Sequence, residues 1–265
     1  MFDERGTVMN KNNQQKALVR VILTALFAAI CYVALFFKIP IPSPVGNPFI
    51  HLGNMFVILA ALLFSGTVGG VAGSLGMGVF DLTQGYAIYA PKTFVLKLGI
   101  GLVAGFVASK GKKPDAKSLV KWIFAFSAVL IIFGLCMLFL AVGKGSEFRF
   151  EGLTKTFVIS PVLYIFSLVL GGLLLTAAVF AKKLSIKLQY ALIAAVSGIF
   201  FNLAGEFLLG ALYFVILQGS AWPPALLASA ISLPATVING AFSVVGAVLL
   251  YIPLEKAVKS SGYLN

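Results

Sequence analysis

The chain has 265 residues, of which 60% are hydrophobic and only 11% charged, and its mean hydropathy is +1.03. Soluble domains hold about 45–50% apolar and about 25% charged residues, which excludes a soluble enzyme, an ordinary binding module and a disordered chain. The net charge of +12 sits in short segments between apolar runs. It lacks the aromatic interleaving or zinc spacing of a nucleic-acid reader, so no nucleic-acid partner is expected. What remains is an all-α, polytopic helical membrane protein, because the apolar runs are too long and continuous for the alternating strands of a barrel.

Residues 1–16 are polar, and no small-residue cleavage site follows the first apolar run, so that run reads as a retained helix and not a signal peptide. Apolar runs lie at 17–37, 50–65, 68–82, 91–109, 119–143, 157–181, 188–217 and 226–252. They predict eight spans in a single integral membrane domain over 1–265. The second and third runs are short and separated only by Ser65, Gly66 and Thr67. They could form a hairpin or a broken re-entrant pair, and the charge pattern favours two spans.

Basic residues set the orientation. Arg5, Lys11, Lys16 and Arg20 precede the first run; Lys110, Lys112, Lys113, Lys117 and Lys121 follow the fourth; Lys182, Lys183 and Lys187 follow the sixth; Lys256 and Lys259 follow the last. These are 14 of the 20 basic residues, and an eight-span path puts them all on one side. The positive-inside rule then predicts a multi-pass protein of the cell membrane, embedded in the bilayer, with both termini cytoplasmic and outer loops at 38–49, 83–90, 144–156 and 218–225.

Small residues recur four apart, at Gly66/Gly70, Gly69/Gly73, Gly101/Gly105 and Ala25/Ala29, a spacing that lets helix backbones approach closely in lipid. Ionisable side chains inside a bilayer are costly and mark function by default. Three stand out: Asp81, Lys97 and Glu206. At about 1.5 Å per helical residue, Lys97 lies about 9 Å and Glu206 about 16 Å in from the outer ends of their runs, with Asn202 one turn below Glu206. Alternatively, Asp81 and Lys97 only neutralise each other. His51, Asn54, Gln84, Tyr86, Tyr89, Lys92 and Trp222 collect at the same level, although the aromatics also suit an interfacial belt and Lys92 an interfacial charge. Together they outline an outward-opening pocket for a small polar organic molecule.

No catalytic constellation is legible. His51 is the sole histidine, Cys31 and Cys136 lack ligand spacing, and neither GxSxG nor GxxxxGK[ST] occurs. Hence no enzymatic activity, metal or cofactor is expected, and active transport would need a partner or an ion gradient.

The block from Phe49 to Gly105 resembles the substrate-binding S components of energy-coupling factor (ECF) transporters, in the branch of riboflavin-, pyridoxine- and hydroxymethylpyrimidine-like members. The likeness rests on IPIP at 39–42, HLGN at 51–54, DLTQGY at 81–86 and YAPKTFVLK at 89–97. The stretch Gly198–Ala247, with Asn202, Glu206 and LPATVING at 233–240, resembles that family's last two helices. The resemblance implies six core helices, so the runs at 119–143 and 157–181 become an inserted pair. It also implies a subunit that binds a water-soluble vitamin or precursor with high affinity. That subunit docks on a transmembrane coupling (T) subunit driven by two ABC-type ATPases. On this view His51, Asn54, Asp81, Tyr86, Tyr89, Lys97, Asn202, Glu206 and Trp222 contact substrate. Ala25, Ala28 and Ala29 form the docking face, with Ala34 nearby. Asn54 departs from the Asp expected in many relatives. A pyridoxine-like or pyrimidine-like ligand is expected ahead of riboflavin. The competing readings are an ion-coupled secondary transporter and a membrane structural protein.

Overall fold

A computed structural model describes residues 11–40, 49–113, 115–144, 147–148, 157–158 and 161–260. Residues 1–10 of the polar N-terminal segment, 41–48 of the first expected outer loop and most of 144–156 lie outside the described residues.

Eight α-helices follow the eight apolar runs: α1 (Lys11–Ala34), α2 (Gly53–Leu63), α3 (Gly66–Thr83), α4 (Ala90–Gly111), α5 (Val120–Lys144), α6 (Pro161–Ala181), α7 (Ile186–Gln218) and α8 (Trp222–Ser260). The strands are two-residue ladders: β1 (Ile39–Pro40) with β2 (Phe49–Ile50), and β3 (Glu147–Phe148) with β4 (Phe157–Val158). The protein is all-α and polytopic. Among the described residues, five helical segments have the length and apolarity to cross a bilayer: Asn13–Ala34, Ala87–Gly111, Val120–Gly143, Ile186–Gln218 and Trp222–Ser260.

α2 departs most from expectation. Its 11 residues rise about 16 Å, roughly half of a hydrocarbon core. It starts late because Phe49–Ile50 pairs as a strand and the Gly53 amide is taken by His51 Nδ1 at 3.1 Å. α3 starts two residues earlier than its apolar run, at Gly66, where Ser65 caps the helix by accepting the Val68 amide at 3.2 Å. α8 runs 39 residues through Pro234 and Pro253. A helix can carry an internal proline in lipid where its neighbours re-satisfy the freed carbonyl.

The chain divides into two compact units, residues 1–112 with 190–265 and residues 113–189. In the first unit, α3 lies against α4, α1 and α2. A Cβ on Gly101 would strike the backbone of Gly70, and one on Gly105 would strike Gly66. The glycine pairs therefore place two backbones in direct contact. Farther along the same antiparallel pair, Ser74 Oγ donates to the Phe94 carbonyl at 2.8 Å. Gly76 abuts the Ala28 carbonyl, which brings α1 onto α3. In the second unit, α5 and α6 pair through Gly134 against Leu168 and through the buried Ser127 Oγ, which donates to the Gly171 carbonyl at 2.7 Å.

Substituting Gly101 with Val forces the α3 backbone away and should destabilise the purified protein by about 1–3 kcal/mol or more. Gly172, with open space around its Cβ position, should accept Ala with a change within about 1 kcal/mol. Thermal unfolding in detergent compares the two; equal losses would show that the glycine contact does not set the packing.

Candidate functional site

In the first unit, residues of α2, α3, α4, α7 and α8 line a cavity of about 310 Å³. Eight of the nine expected substrate contacts line it: His51, Asn54, Asp81, Tyr86, Tyr89, Lys97, Asn202 and Glu206. Trp222 does not. As the first residue of α8 it is 53% exposed and outside the lining, in keeping with an interfacial aromatic.

Each element delivers its side chains for a local reason. The turn after α3 needs a positive φ, supplied by Gly85 at +84°. It leads into a 3-10 turn over Ala87–Tyr89, and Pro91 stands in the first turn of α4, where its missing N–H is harmless. That path brings the last turn of α3 beside the first turn of α4. Asp81 then accepts a hydrogen bond from Thr93 Oγ1 at 2.5 Å. One turn deeper on α4, the buried Lys97 donates to Asn202 Oδ1 on α7 at 3.0 Å. Lys92 forms an ion pair with Glu206 at 2.6 Å. Among the described residues no direct ion pair joins Asp81 to Lys97; each carries a neutral partner instead.

The Glu206 side chain is 23% exposed and that of Lys92 20%, while Lys97 is 5% and Asn54 2% exposed. α7 runs on for 12 residues past Glu206, to Gln218, close to the end of its apolar run. Lys92, read from sequence as interfacial, belongs to the lining. A lysine near a helix end normally snorkels to the interface, and nothing local marks a partner 114 residues away. Thr93, Tyr213, Ser229 and Asn239 also line the cavity and were not anticipated. Of these, Asn239 lies in the LPATVING run.

At one end, Tyr89 stacks on Tyr213 with centroids 4.9 Å apart, and Lys92 Nζ lies 5.6 Å from the Tyr89 ring. Phe49 and Tyr86 line another wall, where Lys38 Nζ donates to the Tyr86 hydroxyl at 3.1 Å and lies 5.2 Å from the Phe49 ring. The His51 amide donates to Asn239 Oδ1 at 3.3 Å and ties the start of α2 to α8. The cavity therefore presents two lysines, two carboxylates, three asparagines and an aromatic wall, a composition suited to a flat polar molecule. Asn54 Oδ1 is the exception to internal pairing: among the described residues it is the buried side-chain atom that lacks a partner. Such an atom costs about 1–3 kcal/mol when left unmatched.

The expected docking residues divide. Ala28 is half-buried, and its backbone carbonyl lies against Gly76 of α3. Ala25 and Ala29 are exposed, in a stripe with Leu18, Val21, Ile22 and Leu26. A helix shows only part of its circumference to a partner once one face is committed to its own bundle.

A double-mutant cycle on Lys92→Met and Glu206→Gln should give a coupling energy of about 0.5–3 kcal/mol in unfolding. Additive losses would mean that the pair is not formed in the membrane.

A family of transport proteins matches residues 15–177, more than half of the chain: "ECF-type riboflavin transporter, S component". The match runs through α5 and ends inside α6, at residue 177, so the expected likeness of Gly198–Ala247 to the family's last helices lies outside it. An "uncharacterized protein in gap 3'region" of Pyrococcus woesei is 26% identical over 144 residues, which are 54% of this chain and 90% of that protein. No solved structure matches the chain. With the polytopic helical fold and the polar cavity, the family match makes this chain a member of the ECF-type riboflavin transporter S component family, a multi-pass membrane subunit that binds substrate for a vitamin transporter.

Proposed function

We propose that the cavity holds an uncharged, planar nitrogen heterocycle: a water-soluble vitamin or precursor of the pyridoxine or pyrimidine type, with riboflavin as the larger competitor. The observation that carries this reading is the charge balance of the lining. Lys92 and Lys97 stand against Asp81 and Glu206, and every one of these groups has a partner within the protein. A site with no spare charge gains nothing from a charged ligand and would bear the desolvation of a phosphate uncompensated. The aromatic wall of Phe49, Tyr86, Tyr89 and Tyr213 suits stacking on a ring. In this reading Trp222 has no part in the site.

The chain is proposed to work with a transmembrane coupling subunit and two ABC-type ATPases, with both termini cytoplasmic as the basic segments predict. The division into residues 1–112 with 190–265 and residues 113–189 supports a six-helix core of α1–α4, α7 and α8, with α5 and α6 as an inserted pair. The exposed Ala25 and Ala29 on α1 support a close, reversible helix contact with the coupling subunit, since small side chains let backbones meet in lipid.

Titration of the purified protein with pyridoxine, 4-amino-5-hydroxymethyl-2-methylpyrimidine, riboflavin and their phosphate esters tests the ligand class. An unphosphorylated compound should bind at least about tenfold tighter than its ester, about 1.4 kcal/mol. Preference for the esters would reject the charge argument, and no binding by any of the six would favour a structural role.

Docking is tested separately by Ala29→Trp. It should abolish ATP-dependent uptake in vesicles that carry the coupling module while leaving ligand affinity unchanged. Uptake that persists, or that runs without any ATPase, would point to ion-coupled transport.

A further inference from the structure

The second unit carries a groove of its own, of about 500 Å³, lined by residues of α5 and α6. Along α5 the lining runs from Phe124 to Ile131 and Ile132, with the small Ala125 and Ala128 between these larger side chains, and Leu175 adds the α6 side. Among the described residues the lining has one hydroxyl, Ser127 Oγ, and it is committed to the Gly171 carbonyl at 2.7 Å. The groove therefore offers a polar solute nothing to bond. Its end near the start of α5 is positive. Lys182, the residue after α6, holds its Nζ 4.8 Å from the Phe124 ring, and Lys121 lies one turn before Phe124 and Ala125. Lys121, Lys182 and Lys183 are all exposed. The segments 113–121 and 182–189 hold six lysines and one acid, Asp115, and the positive-inside rule predicts both on the cytoplasmic face. From Lys121 to Ile132 a helix rises about 16 Å, roughly half of a hydrocarbon core of about 30 Å, which is the depth of one leaflet.

We propose that this groove binds an anionic phospholipid of the cytoplasmic leaflet, with one acyl chain along α5 and the phosphate against Lys121 and Lys182. Clusters of lysines at the cytoplasmic ends of membrane helices attract anionic headgroups. Lipid tails are as apolar as the groove, so the chain is held by packing contacts and the headgroup supplies the selectivity. A free phosphate would use the lysines and not the groove. A zwitterionic lipid would use the groove and gain little from the lysines. A partner helix would fill the groove with no need of cations at one end. The site belongs to the second unit alone and does not depend on the reading of the solute cavity in the first.

Native mass spectrometry of the full-length protein tests this, with the protein released from detergent after addition of dioleoylphosphatidylglycerol or dioleoylphosphatidylcholine. One phosphatidylglycerol should stay bound, with an apparent affinity at least tenfold above that of phosphatidylcholine. Lys121→Gln combined with Lys182→Gln should abolish that preference. Ala128→Trp fills the groove and keeps both lysines, and it should weaken phosphatidylglycerol binding at least tenfold. Ala128 is exposed, so this variant should unfold at the temperature of the unaltered chain; if it does not, the double lysine variant, altered only at exposed positions, still decides the question. Glycerol 1-phosphate in excess should not displace the lipid. Equal binding of the two lipids, a preference that survives loss of both lysines, or lipid binding untouched by a stably folded Ala128→Trp overturns the proposal. Displacement by glycerol 1-phosphate overturns it in favour of a phosphate site without a chain, and a dimer mass in place of a lipid adduct overturns it in favour of a second copy of the chain.

Discussion

The backbone contact between α3 and α4 is the constraint on which the site depends. Gly70 meets Gly101 and Gly66 meets Gly105, with no room for a side chain on either helix. Two such contacts four residues apart fix both the distance and the register of an antiparallel pair. Once that register is set, the remaining cross-contacts follow along the helices: Ser74 reaches the Phe94 carbonyl, and Asp81 reaches Thr93. Lys97 is carried one turn past Thr93 into the bundle, on the buried side of α4. A slip of one residue would rotate each helix by about 100° and turn Asp81 and Lys97 away from the cavity.

Lipid supplies no hydrogen bonds, so every polar side chain the helices bring inside must be answered by another. α7 gives those answers to α4: Asn202 accepts from Lys97 and Glu206 from Lys92, at positions one turn apart on the same face. Their close approach again depends on glycine, because Gly198 lies against the Ile100 carbonyl and Gly205 against Leu96. α8 closes the ring, with Ser229 Oγ donating to the Phe207 carbonyl at 2.7 Å and Asn239 accepting from His51.

Much of this was legible in the sequence, and the reasons are specific. Each apolar run became a helix because hydropathy measures what lipid requires of a helix. The four-residue glycine spacing in two runs announced a close contact, though not that one pair would meet the other. His51, Asn54, Asp81, Lys97, Asn202 and Glu206 stood out because a polar residue in an apolar run is conspicuous, and all six line one cavity. Thr93 has no signal of its own, because a threonine is unremarkable at a helix start, and Lys92 suits an interfacial charge as well as a pocket one; only their partners, Asp81 and Glu206, give them meaning.

A cavity that settles its own charges has a consequence for a transport subunit. In many binding sites a buried lysine or carboxylate is matched only by ligand, and the empty site then carries an unpaired charge at a cost of several kcal/mol. Here Lys92 has Glu206, Lys97 has Asn202 and Asp81 has Thr93 before any solute enters. Each of these charged groups therefore keeps a hydrogen-bond partner when no molecule is bound. For the proposed role this matters more than the greatest attainable affinity, because a subunit that collects a scarce solute must also surrender it. Affinity then has to come from stacking and from a few neutral hydrogen bonds, which can be made and broken without moving a charge through lipid.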